Sequence, residues 1–491
     1  MKYLLGIDVG TTGTKALLFR QDGKLCGQAY RPYDTQTPQV GWSEQDPEDW
    51  WNAVVATVRE TTRDSEIARN VAGISLSLQG GTMVAVDEDY RPVRPAMVWN
   101  DTRCTEELAR YLQNSSDEEM YRKTGWHLLP GLNLMQICWM RDHEPENFAR
   151  SAMFLSVPDY ISHKMTGIAA IDPSDAGINQ LSNITEGRYD QALLDFAGIR
   201  ESQLPPILSS GQIIGHLTPD AAETLGLTTD AVLCAGAHDQ YAVALGAGAC
   251  KEGDILIGSG TCWVITCIGD EPDFESGLSQ SVAAVPGKWG SLWSLSSGGV
   301  CLEWLRKNIA CGPEGEMLSY EELNRQIDIR KAAEEGLYFF PFSGRSTLKR
   351  SFDRGSFTGL DLSHDRFHMA RAVMEGVAFQ IVWMLDAFRT KPSADGLKLA
   401  GGASKSEVWC RILADISGLP VRVPEVADMA CVGAAVLAGV GCGIYRDAEE
   451  GCKCLSVGEK VILPDPERSE MYSKRFSHYK KCAGILGAVY D

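Results

Sequence analysis

The chain has 491 residues, too many for one ordinary hydrophobic core, so two domains of about 200 to 250 residues are expected. Hydrophobic residues make up 44% and charged residues 23%, the balance of a soluble globular protein. A formal net charge of -19 repels nucleic acid and anionic membranes, and no Lys/Arg-rich run offsets it, so both are excluded as partners.

The opening residues predict a strand over Tyr3 to Val9, a Gly10-Thr11-Thr12-Gly13 turn, a second strand over Thr14 to Arg20, and a hairpin turn at Gln21-Asp22-Gly23-Lys24. Asp46-Pro47-Glu48-Asp49 reads as a helix start, with Asp46 as N-cap and Pro47 at the first helical position. Val71 to Ser77, Thr82 to Val86 and Met97 to Trp99 read as strands. Residues 106 to 206 are mostly helical in pattern. Ala231 to Ala237 is an apolar strand, followed by a small-residue helix over Ala242 to Ala249.

Near residue 250 the opening pattern returns. Asp254 to Ile257 is a strand, Gly258-Ser259-Gly260-Thr261 a turn, and Cys262 to Cys267 a second strand. A repeat at this distance predicts two related α/β halves facing each other, with a boundary near residues 246 to 253, hence domains 1–248 and 249–491. The second half predicts a long amphipathic helix over Arg366 to Arg389 and a strand over Leu397 to Ala400. After the Gly401-Gly402-Ala403-Ser404 loop come a helix over Ser406 to Ile416, a strand over Val421 to Val423, a close-packing helix at Ala434 to Ala438 and a surface helix over Glu467 to Cys482.

The 15 cysteines form no Cys-x-x-Cys pair, so neither a zinc site nor a disulfide framework is expected, and a reduced, cytoplasmic setting is. His364 and His368 have the spacing of a metal pair but no evident third ligand, and read as helix surface. The apolar stretch at the N-terminus is too short for a signal peptide, and no window approaches the length of a transmembrane helix.

Five clusters could carry chemistry, and each alone also reads as an ordinary turn or cap. In Asp8-Val9-Gly10-Thr11-Thr12-Gly13-Thr14-Lys15, glycines would let backbone N–H groups approach phosphate oxygens, threonines would add donors, and Asp8 is placed to hold a magnesium ion through water. Gly258-Ser259-Gly260-Thr261 would grip the same polyphosphate from the other half. Asp239, just past an apolar strand, suits a group that accepts an alcohol proton and orients its oxygen for in-line attack; it equally suits an N-cap, and His238 reads as structural. Trp99-Asn100-Asp101 offers hydroxyl partners beside an apolar face. Gly401-Gly402-Ala403 would let a flat ring lie against the backbone.

Together these residues resemble the FGGY carbohydrate kinases of the actin-like ATPase superfamily, closest to the xylulose kinases, over nearly the whole chain. The resemblance is carried by Gly6 to Thr12, Trp42 to Pro47, Trp99 to Asp101, Gly236 to Gly246, and Gly401 to Trp409 running on to Gly418. It implies an α/β fold of two actin-like, ribonuclease H-like domains with the active site in the cleft between them, and ATP-dependent phosphorylation of a small sugar. Asp239 would be the catalytic base, with Asp8 and Asp239 near magnesium. Gly10, Thr11, Thr12, Lys15, Gly258, Ser259, Gly260 and Thr261 would lie at the phosphates, and Gly401, Gly402 and Ala403 at adenosine. The sugar would lie against Gln79, Gly80, Gly81, Trp99, Asn100, Asp101, Asp239 and Gln240. Family members are often homodimers, though no residue pattern here marks an interface.

Xylulose kinases usually carry Met-His, and glycerol kinases Arg-Glu, where this chain has Gly80-Gly81, so a roomier pocket is expected there. Asp239-Gln240 replaces Asp-Asn, Gln136 stands near an expected lysine, and Gly344 to Leu348 departs from Gly-Glu-Arg-Thr-Pro. Other classes weighed are a polyol or glycerol kinase, an actin-like ATPase without sugar activity, and a sugar-sensing repressor, for which no basic DNA-binding module is present.

Overall fold

The computed structural model describes residues 1–312, 315–342, 354–425, 428–455 and 458–490, so Gly344 to Leu348 lie outside the described residues. The first sheet consists of β1 (Tyr3–Val9), β2 (Gly13–Arg20), β3 (Leu25–Pro32), β4 (Val71–Leu78), β5 (Ile213–His216) and β6 (Val232–His238), in the spatial order β5-β6-β4-β1-β2-β3. β1 pairs antiparallel with β2 and parallel with β4, β4 pairs parallel with β6, and β3 and β5 are antiparallel edges. Central β6 is buried along its whole length and apolar up to His238. Edge strand β3 alternates half-buried with exposed residues, as a strand with one solvated face does.

The second sheet consists of β7 (Ile255–Ser259), β8 (Trp263–Gly269), β9 (Ser279–Val282), β10 (Trp289–Leu295), β11 (Leu397–Gly401), β12 (Val421–Pro424) and β13 (Glu459–Ile462), in the order β9-β10-β8-β7-β11-β12-β13. Here β7 pairs antiparallel with β8 and parallel with β11, β11 pairs parallel with β12, and β13 is antiparallel to β12. Apart from the added strand β9, order and polarity repeat those of the first sheet. The internal repeat therefore extends from the two hairpins to whole sheets.

Three helices of the first half matter for the site: α1 (Pro47–Thr61), α2 (Pro173–Ile178) and α3 (Asp239–Gly246). Asp46 caps α1 by accepting from the N–H of Glu48, with Pro47 in the first turn, as its sequence predicts. In the second half lie α4 (Gly299–Asn308), α5 (Tyr320–Asp328), α6 (Arg366–Leu385), α7 (Glu407–Ser417), α8 (Met429–Gly441), α9 (Ala448–Leu455) and α10 (Pro466–Tyr490). α6 ends at Leu385, short of the expected Arg389. It is not an amphipathic surface helix: Ala370 to Phe379 are buried without a break, including an Arg371–Glu375 ion pair of 2.8 Å. The helix is enclosed by the Tyr338–Phe340 strand on one side and Tyr472 and Tyr479 of α10 on another, so α10 too buries one face. His364 precedes α6 with its side chain buried, so the histidine pair is not a helix-surface feature. No group of three His, Cys, Asp or Glu among the described residues is arranged to hold a metal ion.

Helix α8 belongs by sequence to the second half but packs on β1, β4 and α3. Small residues permit this. A methyl group at Gly433 would lie 2.0 Å from the Ala242 carbonyl oxygen, and one at Gly246 1.9 Å from that of Met429. The apolar cluster around α3, α8 and α9 also takes in Leu4 and Leu17 from the first sheet and Leu256 and Ile268 from the second. One hydrophobic layer thus ties both sheets together below the cleft. No described helix is long and apolar enough to cross a membrane.

Candidate active site

The first hairpin turns between β1 and β2, where the Gly10 N–H donates to the Gly13 carbonyl (3.1 Å). Its turn is braced from outside. Gln45 donates through Nε2 to the Thr11 carbonyl (2.6 Å), Trp99 donates through Nε1 to Thr11 Oγ1 (3.1 Å), and Tyr30 OH donates to the Thr12 carbonyl (3.2 Å). Gln79 stands behind this brace: its Nε2 donates to Gln45 Oε1 (3.1 Å), and the side chain is buried. Gln79 therefore supports the turn rather than lining open space. Lys15 pairs with Asp428 at 2.9 Å, a contact between the two halves of the sequence.

Asp8 and Asp239 occupy the C-terminal ends of β1 and of β6, two parallel strands flanking β4. Ser77, on β4, donates to Asp8 Oδ1 at 2.9 Å. The Asp8 carboxyl is nevertheless pushed up to about 6, first by burial and then by the charge of Asp239; Ser77 and Lys15 pull the other way. Asp175 on α2 is fully buried, and its carboxyl is pushed well above the usual range by burial first, then by Asp172 and Asp239. The floor of the cleft is thus a region of concentrated negative charge. The oxygens of Asp8 and Asp239 suit a hard divalent cation. Magnesium needs only one or two carboxylates beside substrate phosphates and water, so these residues fit it even without a third acidic ligand.

The second hairpin turns between β7 and β8, with the Gly260 N–H donating to the Cys262 carbonyl (3.1 Å). It lies beside the loop after β11. Ser259 Oγ donates to the Ala400 carbonyl (2.6 Å) and accepts from the Ala403 N–H (3.1 Å), while the Gly402 N–H donates to the Ser259 carbonyl (2.7 Å). The Ser259 hydroxyl is therefore committed to the protein and welds two predicted clusters together. Gly401 must be glycine: its φ is +99°, and a methyl group would lie 2.7 Å from the Ser259 carbonyl oxygen. A cavity of about 590 Å³ opens on this joint, lined by Gly260, Thr261, Gly402 and Ala403. Ser259 and, from the segment running on to Trp409, Lys405, Ser406 and Trp409 of α7 also line it, and other walls come from residues the sequence did not single out, among them Gly299 of α4 and Tyr320 and Asn324 of α5. Neighbouring glycines at 298 and 299 after a strand were the one sequence signal that could have flagged the first of these.

The predicted sugar-side residues separate in space. Trp99 is half-exposed over the first turn, and Asn100 is exposed. Asp101 is not available: its carboxylate accepts from Arg103 Nε and Nη2 (3.0 and 2.7 Å) and from the Ser43 N–H (2.6 Å), and the side chain is buried. Gln240 is half-buried next to Asp239. Gln136 is buried and donates to the carbonyl of Gly131 at 2.7 Å, with the carbonyls of Val98 and Gly81 at 3.3 and 3.4 Å. It holds the walls of this region without a charge.

The expectation of extra room at Gly80 and Gly81 is overturned. A methyl group at Gly80 would lie 2.4 Å from His238 Cδ2 and 2.9 Å from Ile178 Cγ2. One at Gly81 would lie 2.6 Å from Leu132 Cδ2 and 3.3 Å from Trp99 Cβ. The space beside each Cα, where a Cβ would sit, is already filled from other elements.

Comparisons with known proteins agree across the whole chain. The FGGY family of carbohydrate kinases matches through its N-terminal domain at residues 3–246 and its C-terminal domain at residues 254–442. A xylulose kinase of Bacillus subtilis is 30% identical over 98% of this chain and 96% of its own. An L-xylulose/3-keto-L-gulonate kinase of Escherichia coli is 29% identical over 99% of this chain and 97% of its own. The crystal structure of xylulose kinase from Rhodospirillum rubrum superposes with a TM-score of 0.91 at 28% identity, covering 100% of both chains.

Proposed function

The chain belongs to the FGGY family of carbohydrate kinases, and from that premise we propose that it transfers the γ-phosphoryl group of ATP to a hydroxyl of a small ketose of the xylulose type. The observation that carries this reading is that Asp8 and Asp239 stand at the ends of two parallel strands of the first sheet, while a cavity opens at Gly260 and Gly402 beside the second. The first half of the chain carries a proton acceptor, and the second a pocket of a size and lining suited to a nucleotide.

In this reading Asp239, partly exposed at the start of α3, takes the proton from the sugar hydroxyl. The freed oxygen lone pair attacks the γ-phosphorus in line, the bond from phosphorus to the β-bridging oxygen breaks, and ADP leaves. Asp8 and Asp239 would hold magnesium, which when bound neutralises phosphate charge. Backbone N–H groups of the turns at Gly10–Thr12 and Gly258–Thr261, with Lys15, would orient the phosphates. Gly401, Gly402 and Ala403 would face adenosine, beside Tyr320 and Asn324. The sugar would lie near Gly80, Gly81, Trp99, Asn100, Asp239 and Gln240, with Gln79 and Asp101 acting through the loops they hold. The Asp8 carboxyl, raised to about 6 even with Ser77 and Lys15 beside it, favours this role, because a cation would relieve the repulsion from Asp239.

The xylulose kinases among its relatives favour a ketopentose, and the filled volume at Gly80-Gly81 argues against an acceptor much larger than one. The test is ADP release with Mg-ATP across ketoses, aldonates, aldoses and polyols, with a no-sugar control. Stimulation by a ketopentose above all others is expected. Stimulation by glycerol or an aldonate alone would overturn the ketose assignment, and sugar-independent hydrolysis across the panel would overturn the kinase reading.

A further inference from the structure

We infer that Gly80 and His238 form one device, in which the missing side chain at 80 is a socket for the His238 imidazole and the imidazole positions Asp239. The inference rests on the reading of Asp239 as the base. His238 is buried, and its ring lies in the volume a side chain at 80 would need: a methyl group there would meet Cδ2 at 2.4 Å and Nε2 at 2.9 Å. The same edge of the ring faces the base, with Nε2 3.4 Å from Asp239 Oδ1. This is a charge contact, longer than a hydrogen bond, of the kind that substrate binding can tighten.

Aromatic rings pack around the imidazole and its backbone is anchored, while the buried Nδ1 has no hydrogen-bond partner. Trp126 meets it edge-on with centroids 6.2 Å apart and Tyr241 lies 5.8 Å away. The His238 N–H donates to Ser174 Oγ at 2.9 Å, and Ser174 in turn donates to Asp172. Trp126 and Tyr241 are themselves anchored in the second half of the chain, through Ser281 (3.1 Å) and the Gly290 carbonyl (3.2 Å). The base thus sits between a ring locked from both halves and the open cleft. Any side chain at 80 evicts that ring. This gives the two consecutive glycines a positive role, whereas a pocket enlarged for substrate leaves the imidazole unexplained. His238 acts through Asp239 and is a positioning residue.

The test is a set of four variants measured for kcat, for KM of the sugar and for Mg-ATP binding. His238→Ala is expected to lower kcat by roughly 10-fold to 100-fold, the scale of a misplaced reacting group, with Mg-ATP binding unchanged. His238→Gln sets an amide nitrogen near the place of Nε2 and is expected to recover most of that loss. Gly80→Ala is expected to lower kcat about as much as His238→Ala. The double variant should lose no more than either single one, because both remove the same contact. Wild-type kcat in His238→Ala, equal losses in the Ala and Gln variants, or losses that multiply in the double variant would each overturn the inference. If His238→Ala does not fold, the Gln and Gly80→Ala variants decide it. Asp239→Asn is the separate control: wild-type turnover there sinks the base assignment itself, whatever His238 does.

Discussion

The two hairpins share a frame but not a chemistry. Each joins the first two strands of a sheet whose next neighbours are parallel, and each closes its turn with a backbone hydrogen bond of 3.1 Å. When Gly10 is aligned with Gly260, the position of Asp8 is taken by Gly258, and the charged Asp8–Lys15 register pair becomes Gly258–Val264. The first hairpin is ringed by Asp8, Lys15, Asp428 and, farther off, Asp239. The second is neutral and leans on the loop after Gly401. A repeated backbone can supply phosphate-facing N–H groups twice, but a second carboxylate on the nucleotide side would only repel the phosphates. Under the proposed kinase reading, the chemical step falls to the first half and nucleotide grip to the second.

The largest effect that could break this division is at Asp239. Asp239→Asn should reduce turnover by roughly 10²-fold to 10⁴-fold while Mg-ATP binding, read by calorimetry, stays intact. Gly401→Ala should do the reverse. Forcing a side chain into φ +99° against the Ser259 carbonyl costs about 1–3 kcal/mol, so KM for ATP should rise by roughly 5-fold to 100-fold, with turnover at saturating ATP retained. Equal loss of turnover in both variants would dissolve the division.

Asp8 offers a pH-dependent check. Its folded carboxyl is pushed up to about 6, above the ordinary carboxyl value of 3.8, so the folded state holds the proton more tightly than the unfolded one. The stability this contributes is full below about 4 and is lost as pH rises through about 6. Ligand-free Asp8→Asn should therefore match the wild type near pH 4 and melt at a higher temperature than it above pH 6. A constant gap across that window would sink the electrostatic account. The smallest effect is expected at Ser259→Ala, which loses two hydrogen bonds to the Gly401 loop. Because the Gly402 N–H to Ser259 carbonyl bond remains, it should raise KM for ATP only several-fold, about 1 kcal/mol in all, and leave turnover untouched.

Local patterns made much of this legible. The strand–turn–strand repeat, the Asp46-Pro47 cap and the Gly401–Ser404 loop all depend on residues adjacent in sequence, where glycine freedom, proline geometry and alternation act directly. Asp8 and Asp239 could be picked out because carboxylates ending apolar strands of an α/β sheet face its cleft. The reading faltered where a side chain's partner lies far along the chain. Asp101 is committed to Ser43 as well as to nearby Arg103, and Ser259 to the loop at 400–403.

By itself, then, the sequence determined the doubled α/β frame, the two glycine-rich turns and the family to which the chain belongs, since these rest on short-range periodicity and ordered motifs. Tertiary structure alone decided what fills the space between them. It brought Gly299, Tyr320 and Asn324 around the nucleotide-sized cavity, and it put His238, Ile178, Leu132 and Trp99 where Gly80 and Gly81 lack side chains. A missing side chain is visible in a sequence, but close packing lets any neighbour in space claim its volume, and that neighbour is set by the fold.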